Sequence, residues 1–313
     1  MPILSVSDLR VSFGNSDILR GVSLDVEPGQ TIGLVGESGC GKTMLGLSLM
    51  GMIPHGGRIS GGSIILEGKD LTKISEKEYR SLRGSDLAMV MQDPFTSLNP
   101  VMRIGDQVAE SLVLHQNKSW SEARIGALEM LLEVGIPEPE RAMRKYPHEM
   151  SGGQRQRVVI AIAFSCQPKV LIADEPTTAL DVTLQAQVLR LLTQMQERFG
   201  TAVILISHNI GVIASVCDRV NVVYAGEFVE SGTVTQVLKS PLHPYTKALL
   251  EAMPDAEKDV LFALGGQPPR LDQKIDWCAF RDRCPVRCLR ADEPAPWVEN
   301  DEHHGASCWN LKP

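Results

Sequence analysis

The residues Gly36-Glu37-Ser38-Gly39-Cys40-Gly41-Lys42-Thr43 set glycines, a lysine and a hydroxyl at the spacing G-x-x-x-x-G-K-[ST]. Glycines lack a Cβ, so such a loop can curl until its backbone N–H groups point inward at phosphate oxygens. A helix that starts there adds the positive end of its dipole. On this pattern Gly36, Ser38, Gly39 and Gly41 shape a phosphate cradle. Lys42 reaches the β- and γ-phosphates of a nucleotide, and Thr43 holds Mg²⁺ through its hydroxyl. A second pair, Asp174-Glu175, follows the apolar run Val170-Leu171-Ile172-Ala173. A buried strand would deliver Asp174 to its carboxyl end, where ligands of open α/β sheets sit. Asp174 is expected to bind Mg²⁺, directly or through water, and Glu175 to polarise an attacking water. Nucleotide phosphates and Mg²⁺ are thus the expected ligand and ion.

These groups need a scaffold. The apolar run 31–35 enters the glycine loop and 43–51 has helical composition, a strand–loop–helix unit of the α/β type. Short strands are expected at 3–6, 9–13 and 21–26, with Asn15-Ser16-Asp17 as a turn. Ser75-Glu76-Lys77-Glu78 and Ser119-Trp120-Ser121-Glu122 both read as capping boxes that open helices. After the second, apolar positions recur at helical spacing over 123–134, and Pro137 and Pro139 follow. Residues 93–165 are expected to form a helical subdomain between strand-like segments at 87–91 and 170–173. Further strands are expected at 202–206 and 220–224.

The whole chain bounds the setting. It has 313 residues, 43% hydrophobic and 22% charged, the profile of a folded globular protein. Its net charge of −7, with no long basic block, argues against a nucleic-acid partner. No run approaches the roughly 20 apolar residues that cross a bilayer. Met1-Pro2-Ile3-Leu4-Ser5 lacks the basic start and apolar run of a signal peptide. A cytoplasmic chain is expected, with any membrane spans supplied by other subunits. Composition shifts after about 240, where Pro241, Pro244, Pro254, Pro268 and Pro269 punctuate the chain around Gly265-Gly266. Of the 7 cysteines, Cys278, Cys284, Cys288 and Cys308 fall in this last part. In a reducing cytosol such a cluster suits a metal or an iron–sulfur cluster better than disulfides.

Met150-Ser151-Gly152-Gly153-Gln154 carries a family resemblance. It is similar to the signature Leu-Ser-Gly-Gly-Gln of the ATP-binding-cassette (ABC) ATPases, with a nearly volume-conserving Met for Leu. Ser151, Gly152, Gly153 and Gln154 open an expected helix and so offer a second anion-binding helix N-terminus. The resemblance covers roughly residues 1–240. It implies an α/β P-loop ABC-type nucleotide-binding domain with an inserted helical subdomain, and the shift in composition sets off 241–313 as a small cysteine-containing appendage. It also implies a head-to-tail dimer in which each signature faces the ATP of the other subunit. By the same resemblance Gln92 is the glutamine that senses Mg²⁺ and the attacking water. Ala179-Leu180-Asp181 is the D-loop, His208 the switch histidine on the γ-phosphate, and Phe13 the aromatic that stacks on adenine.

The tail narrows the branch. Ser240-Pro241-Leu242-His243-Pro244-Tyr245-Thr246-Lys247-Ala248-Leu249 and Gly266-Gln267-Pro268-Pro269 resemble segments of the D-type ATPases of dipeptide and oligopeptide (peptide/nickel) importers. So does Gln92-Asp93-Pro94-Phe95-Thr96-Ser97-Leu98-Asn99-Pro100, which in that family lies against the permease. The resemblance implies a peripheral subunit at the cytoplasmic face of the inner membrane. Its partners would be a second, F-type ATPase, two permeases and an extracytoplasmic solute-binding protein. The alternative is a non-transport ABC ATPase acting on nucleic acid or ribosomes. Four thiolates at Cys278-x5-Cys284-x3-Cys288-x19-Cys308 suit a [4Fe–4S] cluster or structural zinc, and the resemblance favours the cluster. His303 and His304 are close enough to compete as zinc ligands, but as a type are more often surface residues.

Overall fold

The computed structural model describes residues 1–178, 180–252, 264–271, 274–286, 288–301 and 303–311. Ala179 of the expected D-loop and Pro254 lie outside the described residues. Two compact units emerge. The first comprises 1–26, 31–73 and 205–313; the second comprises 27–30 and 74–204. The chain passes from the second to the first within the buried strand Ala202–Ser207.

In the first unit, Leu4–Phe13 pairs antiparallel with both Ser16–Val26 and Gly57–Leu66. The two short strands expected at 3–6 and 9–13 are one strand. It bends at Asp8, where φ is 44° and the register shifts between Val6 and Leu9. A bulge lets one strand turn its face without breaking the ladder. The expected turn at 15–17 sits one residue earlier, because Ser16 and Asp17 already pair with Phe13 and Ser12. Gly14 at φ 57° supplies the left-handed residue that such a tight hairpin needs. Leu4, Val6, Leu9, Val11, Leu19, Val22, Ile64 and Leu66 are buried and hold the three strands together.

A second set of strands in this unit carries the glycine loop. Thr31–Val35 is buried at every position and runs parallel to Arg219–Tyr224. An apolar run without alternation is what a strand covered on both faces requires. Glu227–Thr233 returns antiparallel on Arg219–Tyr224. His304–Ser307 then pairs with Glu227–Thr233, and Trp297–Asp301 pairs with His304–Ser307. The C-terminal part therefore joins the sheet, which its proline- and cysteine-rich composition did not announce. The fully buried Glu230 explains how it is anchored. Its carboxylate accepts N–H bonds from Leu242 (2.9 Å) and His243 (2.8 Å) and lies 3.0 Å from His304 Nε2. His304 is accordingly a buried partner of Glu230, not the surface residue or zinc ligand envisaged from its type.

In the second unit, Leu87–Val90 and Val170–Asp174 are parallel neighbours. Between them come the helices Pro94–Ser97, Ile104–Gln116, Trp120–Glu133, Pro139–Ala142 and Gly152–Phe164. Ser75 and Ser119 close the two expected capping boxes with Glu78 and Glu122. Ile104, Val108, Leu112, Ala123, Ala127, Leu131, Val158 and Phe164 form the buried seam of three of these helices. Alanines at 123 and 127 let the helices approach closely. Among the described residues, no helix is long and apolar enough to cross a membrane.

Candidate functional site

The glycine loop lies between the buried strand Thr31–Val35 and the helix Lys42–Leu49. Gly36 admits no side chain, since a Cβ there would drive into the Val223 carbonyl oxygen. Gly41 sits at φ 107°, closed in by Leu19 and Ile18, a conformation and a space that only glycine accepts. No side chain caps the helix at Gly41, so its first-turn N–H groups are left for a ligand to meet. Lys42 is buried, and its ammonium donates to Gly36 O (2.8 Å) and Glu37 O (2.9 Å). Thr43, Ser38 and Gly39 are exposed. Cys40, whose thiol burial pushes up, lies 3.5 Å from the same ammonium. Phe13 ends its strand half-buried, with its ring so close over Gly57 that a Cβ there would collide with it. His208 is exposed just beyond Ala202–Ser207.

The second unit brings a different group together. Asp174, 4% exposed, ends the strand Val170–Asp174 as the apolar run required. Glu175 follows at φ 46°, an uncommon backbone for a residue with a Cβ and one that clusters at functional sites. Its Oε2 accepts from Gln92 Nε2 (2.9 Å) and Thr178 Oγ1 (2.8 Å), so Gln92 and Glu175 meet although 83 residues apart. Ser151 caps the helix Gly152–Phe164: its hydroxyl accepts from the Gln154 N–H, and the Gln154 side chain accepts from the Ser151 N–H. Met150 is 5% exposed, the buried apolar contact that its leucine-like position calls for. Gly153 packs against Leu184, where a Cβ would come within 3.3 Å. Asp181 serves as the N-cap of Val182–Phe199, accepting from the Leu184 N–H at 2.9 Å.

The four C-terminal cysteines line one cavity of about 740 Å³ with His243, Phe280 and Trp309. Burial raises the Cys278 and Cys308 thiols, and both also feel Cys284 and Cys288. Among the described residues, however, no three His, Cys, Asp or Glu side chains converge closely enough to hold a metal ion.

Three residues at the glycine loop escaped the motif. Tyr245 Oη accepts the Glu37 N–H at 2.9 Å, and the Glu37 carboxylate is gripped by Arg283 through two bonds of 2.8 Å. The pattern leaves position 37 open, so it carried no signal for Glu37. Nor does it signal partners 208 and 246 residues downstream.

Known proteins resemble the chain across these features. Residues 19–178 match the family model "ABC transporter", and residues 229–288 match "Oligopeptide/dipeptide transporter, C-terminal region". The dipeptide transport ATP-binding protein DppD of Bacillus subtilis is 46% identical over 98% of this chain and 94% of that protein. The oligopeptide transport ATP-binding protein OppD of Escherichia coli is 46% identical over 90% of this chain and 86% of its own length. Among solved structures, cbiO1 from Clostridium perfringens, part of the ABC transporter complex cbiONQ, superposes with a TM-score of 0.66 at 27% identity. That match covers 76% of this chain and 91% of cbiO1. The glycine loop, the strand-end acidic pair and the capped Ser-Gly-Gly helix all fall within these matches. The chain belongs to the ABC transporter family as an ATP-hydrolysing subunit that carries the oligopeptide/dipeptide C-terminal region.

Proposed function

We propose that this chain powers a bacterial importer of dipeptides, oligopeptides or related solutes from the cytoplasmic face of the inner membrane. One observation carries the reading: the similarity to peptide-transport ATP-binding proteins runs almost end to end and includes the C-terminal region. The proposed partners are two permeases, an extracytoplasmic solute-binding protein and a second, F-type ATPase. The exposure of Phe95 (56%) and Val101 (81%), on and just beyond the segment resembling the permease-facing one, supports docking there. The test is anaerobic purification of the chain with its co-purifying subunits and their identification by mass spectrometry. Two membrane permeases and another ATPase are expected. Recovery with nucleic acid or ribosomes and no membrane protein would sink the proposal.

In this reading each residue acts on ATP in a way its position supports. The curled loop offers N–H groups to the phosphates, and Lys42 exchanges its carbonyl partners for phosphate oxygens. Thr43 and Asp174 each carry a hard oxygen donor of the kind that would hold Mg²⁺, and the ion would neutralise charge on the phosphates. Phe13 provides a flat face for adenine. Glu175 takes the proton of the attacking water, oriented by Gln92 and Thr178, and His208 contacts the γ-phosphate. Ser151, Gly152, Gly153 and Gln154 present the capped helix to the nucleotide of the partner ATPase, and Asp181 lies at that interface.

The cysteines fit a metal in donor chemistry. Soft thiolates suit an iron–sulfur cluster or zinc, and the resemblance favours the [4Fe–4S] form. Burial and the neighbouring thiols oppose bare thiolates at Cys278 and Cys308, and a cationic metal centre would offset that cost. Cys278, Cys284, Cys288 and Cys308 would hold it.

A further inference from the structure

Glu37 puts a carboxylate inside a loop that must receive a polyanion. Left alone, a negative charge there repels every phosphate the loop is shaped to take. The structure answers it with one cation from the far end of the chain. Arg283 Nη1 and Nη2 donate to the two Glu37 oxygens at 2.8 Å each, the parallel fork that a planar guanidinium makes with a carboxylate. The remaining donors are also engaged. Nε donates to Gly265 O at 3.0 Å, while Nη2 reaches Leu264 O and Nη1 reaches Tyr224 Oη, both at 3.4 Å. The Arg283 side chain is 4% exposed and that of Glu37 30%, so the pair is largely shielded from solvent.

The support behind Arg283 is rigid. Phe280, 1% exposed, packs its ring against Tyr224, Tyr245 and His243 with centroids 5.3, 5.5 and 5.4 Å away. Tyr245 in turn accepts the Glu37 N–H, and the Glu37 carbonyl holds Lys42. Every polar group of Glu37 is therefore tied: one to the phosphate-binding lysine, two to the C-terminal region.

We propose that Arg283 is a positioning residue for the phosphate loop, the counter-cation by which the cysteine-lined segment makes Glu37 tolerable beside a bound nucleotide. The proposal rests on reading 36–43 as the nucleotide loop. It makes nucleotide affinity depend on where the segment around Cys284 sits, because Arg283 is the residue before that cysteine.

The test is a double-mutant cycle on the full chain, read as Kd for ATP and ADP by calorimetry, with the thermal midpoint followed in parallel. Arg283→Gln is expected to weaken ATP binding roughly tenfold, within the range that mutations along a packed network produce. ADP, carrying less charge, should lose less. Adding Glu37→Gln removes the uncompensated carboxylate and should return ATP affinity to within about threefold of wild type by the same range. Arg283→Lys, which keeps the charge and loses the fork, should lie between wild type and Arg283→Gln. If Arg283→Gln lowers the thermal midpoint but leaves Kd unchanged, the arginine is only a staple and the proposal is overturned. It is overturned equally if the double variant binds no better than Arg283→Gln. Failure of the wild-type chain to bind ATP would instead overturn the nucleotide reading itself.

Discussion

Replacing Glu175 by glutamine separates chemistry from architecture at the strand-end acidic pair. Both Gln92 Nε2 and Thr178 Oγ1 converge on the same carboxylate oxygen. A glutamine that presents its carbonyl oxygen at that point keeps both bonds. Each weakens by about 1 kcal/mol on losing the charge, and the backbone at φ 46° is as strained for Gln as for Glu. The structural effect is then about 2 kcal/mol at most, before the relaxation of either donor. Loss of a general base costs about 10²–10⁴-fold in rate, or roughly 3–5 kcal/mol in the barrier. The two effects are distinguishable because they fall on different observables. Steady-state phosphate release by the full assembly should drop by that factor, while ATP Kd and ATP-driven dimer closure stay within about threefold of wild type. Release within about threefold of wild type would refute Glu175 as the base. Parallel loss of ATP binding would show that the residue is structural.

Three further outcomes are expected. Gly36→Ala forces a Cβ into the Val223 carbonyl, so it should abolish measurable nucleotide binding and destabilise the fold by about 2–4 kcal/mol, read by denaturant titration. Burial holds His243 down to about 3, and its Nδ1 accepts the Tyr245 N–H, so the folded state keeps the imidazole neutral. The resulting stability is complete above the ordinary histidine value of 6.5 and is lost as pH falls below it, at about 1.4 kcal/mol per pH unit for one proton. His243→Asn, which keeps an N-cap acceptor, should flatten the acid slope of unfolding free energy by that amount. Cys284→Ser should lower the iron or zinc content of anaerobically purified protein, measured by elemental analysis, without removing ATP binding; unchanged metal content would defeat the cluster reading.

The glycine loop, the acidic pair and the Ser-Gly-Gly helix start were legible because each is written in consecutive residues whose local physics has few alternatives. The capping boxes at Ser75 and Ser119 were legible for the same reason: hydroxyl and carboxylate are three residues apart and need no tertiary help. Gly57–Leu66 was not, because glycines and an arginine interrupt its alternation and its pairing with Leu4–Phe13 supplies what propensity does not. The strands Trp297–Asp301 and His304–Ser307 were hidden likewise. What places the second is Glu230, 74 residues away from His304. Gln92 was marked by family resemblance, but its bond to Glu175 is a tertiary fact. Arg283 was silent because an arginine beside a cysteine reads as part of the cysteine motif until its partner in the loop is seen.

Lys42 has a consequence for turnover. Its ammonium holds the Gly36 and Glu37 carbonyls at 2.8 and 2.9 Å. In the proposed role of this loop, binding a phosphate is an exchange of acceptors rather than the creation of a contact, and only the difference between the two sets counts towards affinity. The loop thus has its own oxygens ready to take the lysine back when phosphate leaves. A motor that must discharge ADP and phosphate in every cycle gains from that symmetry: letting go leaves no buried cation without a partner.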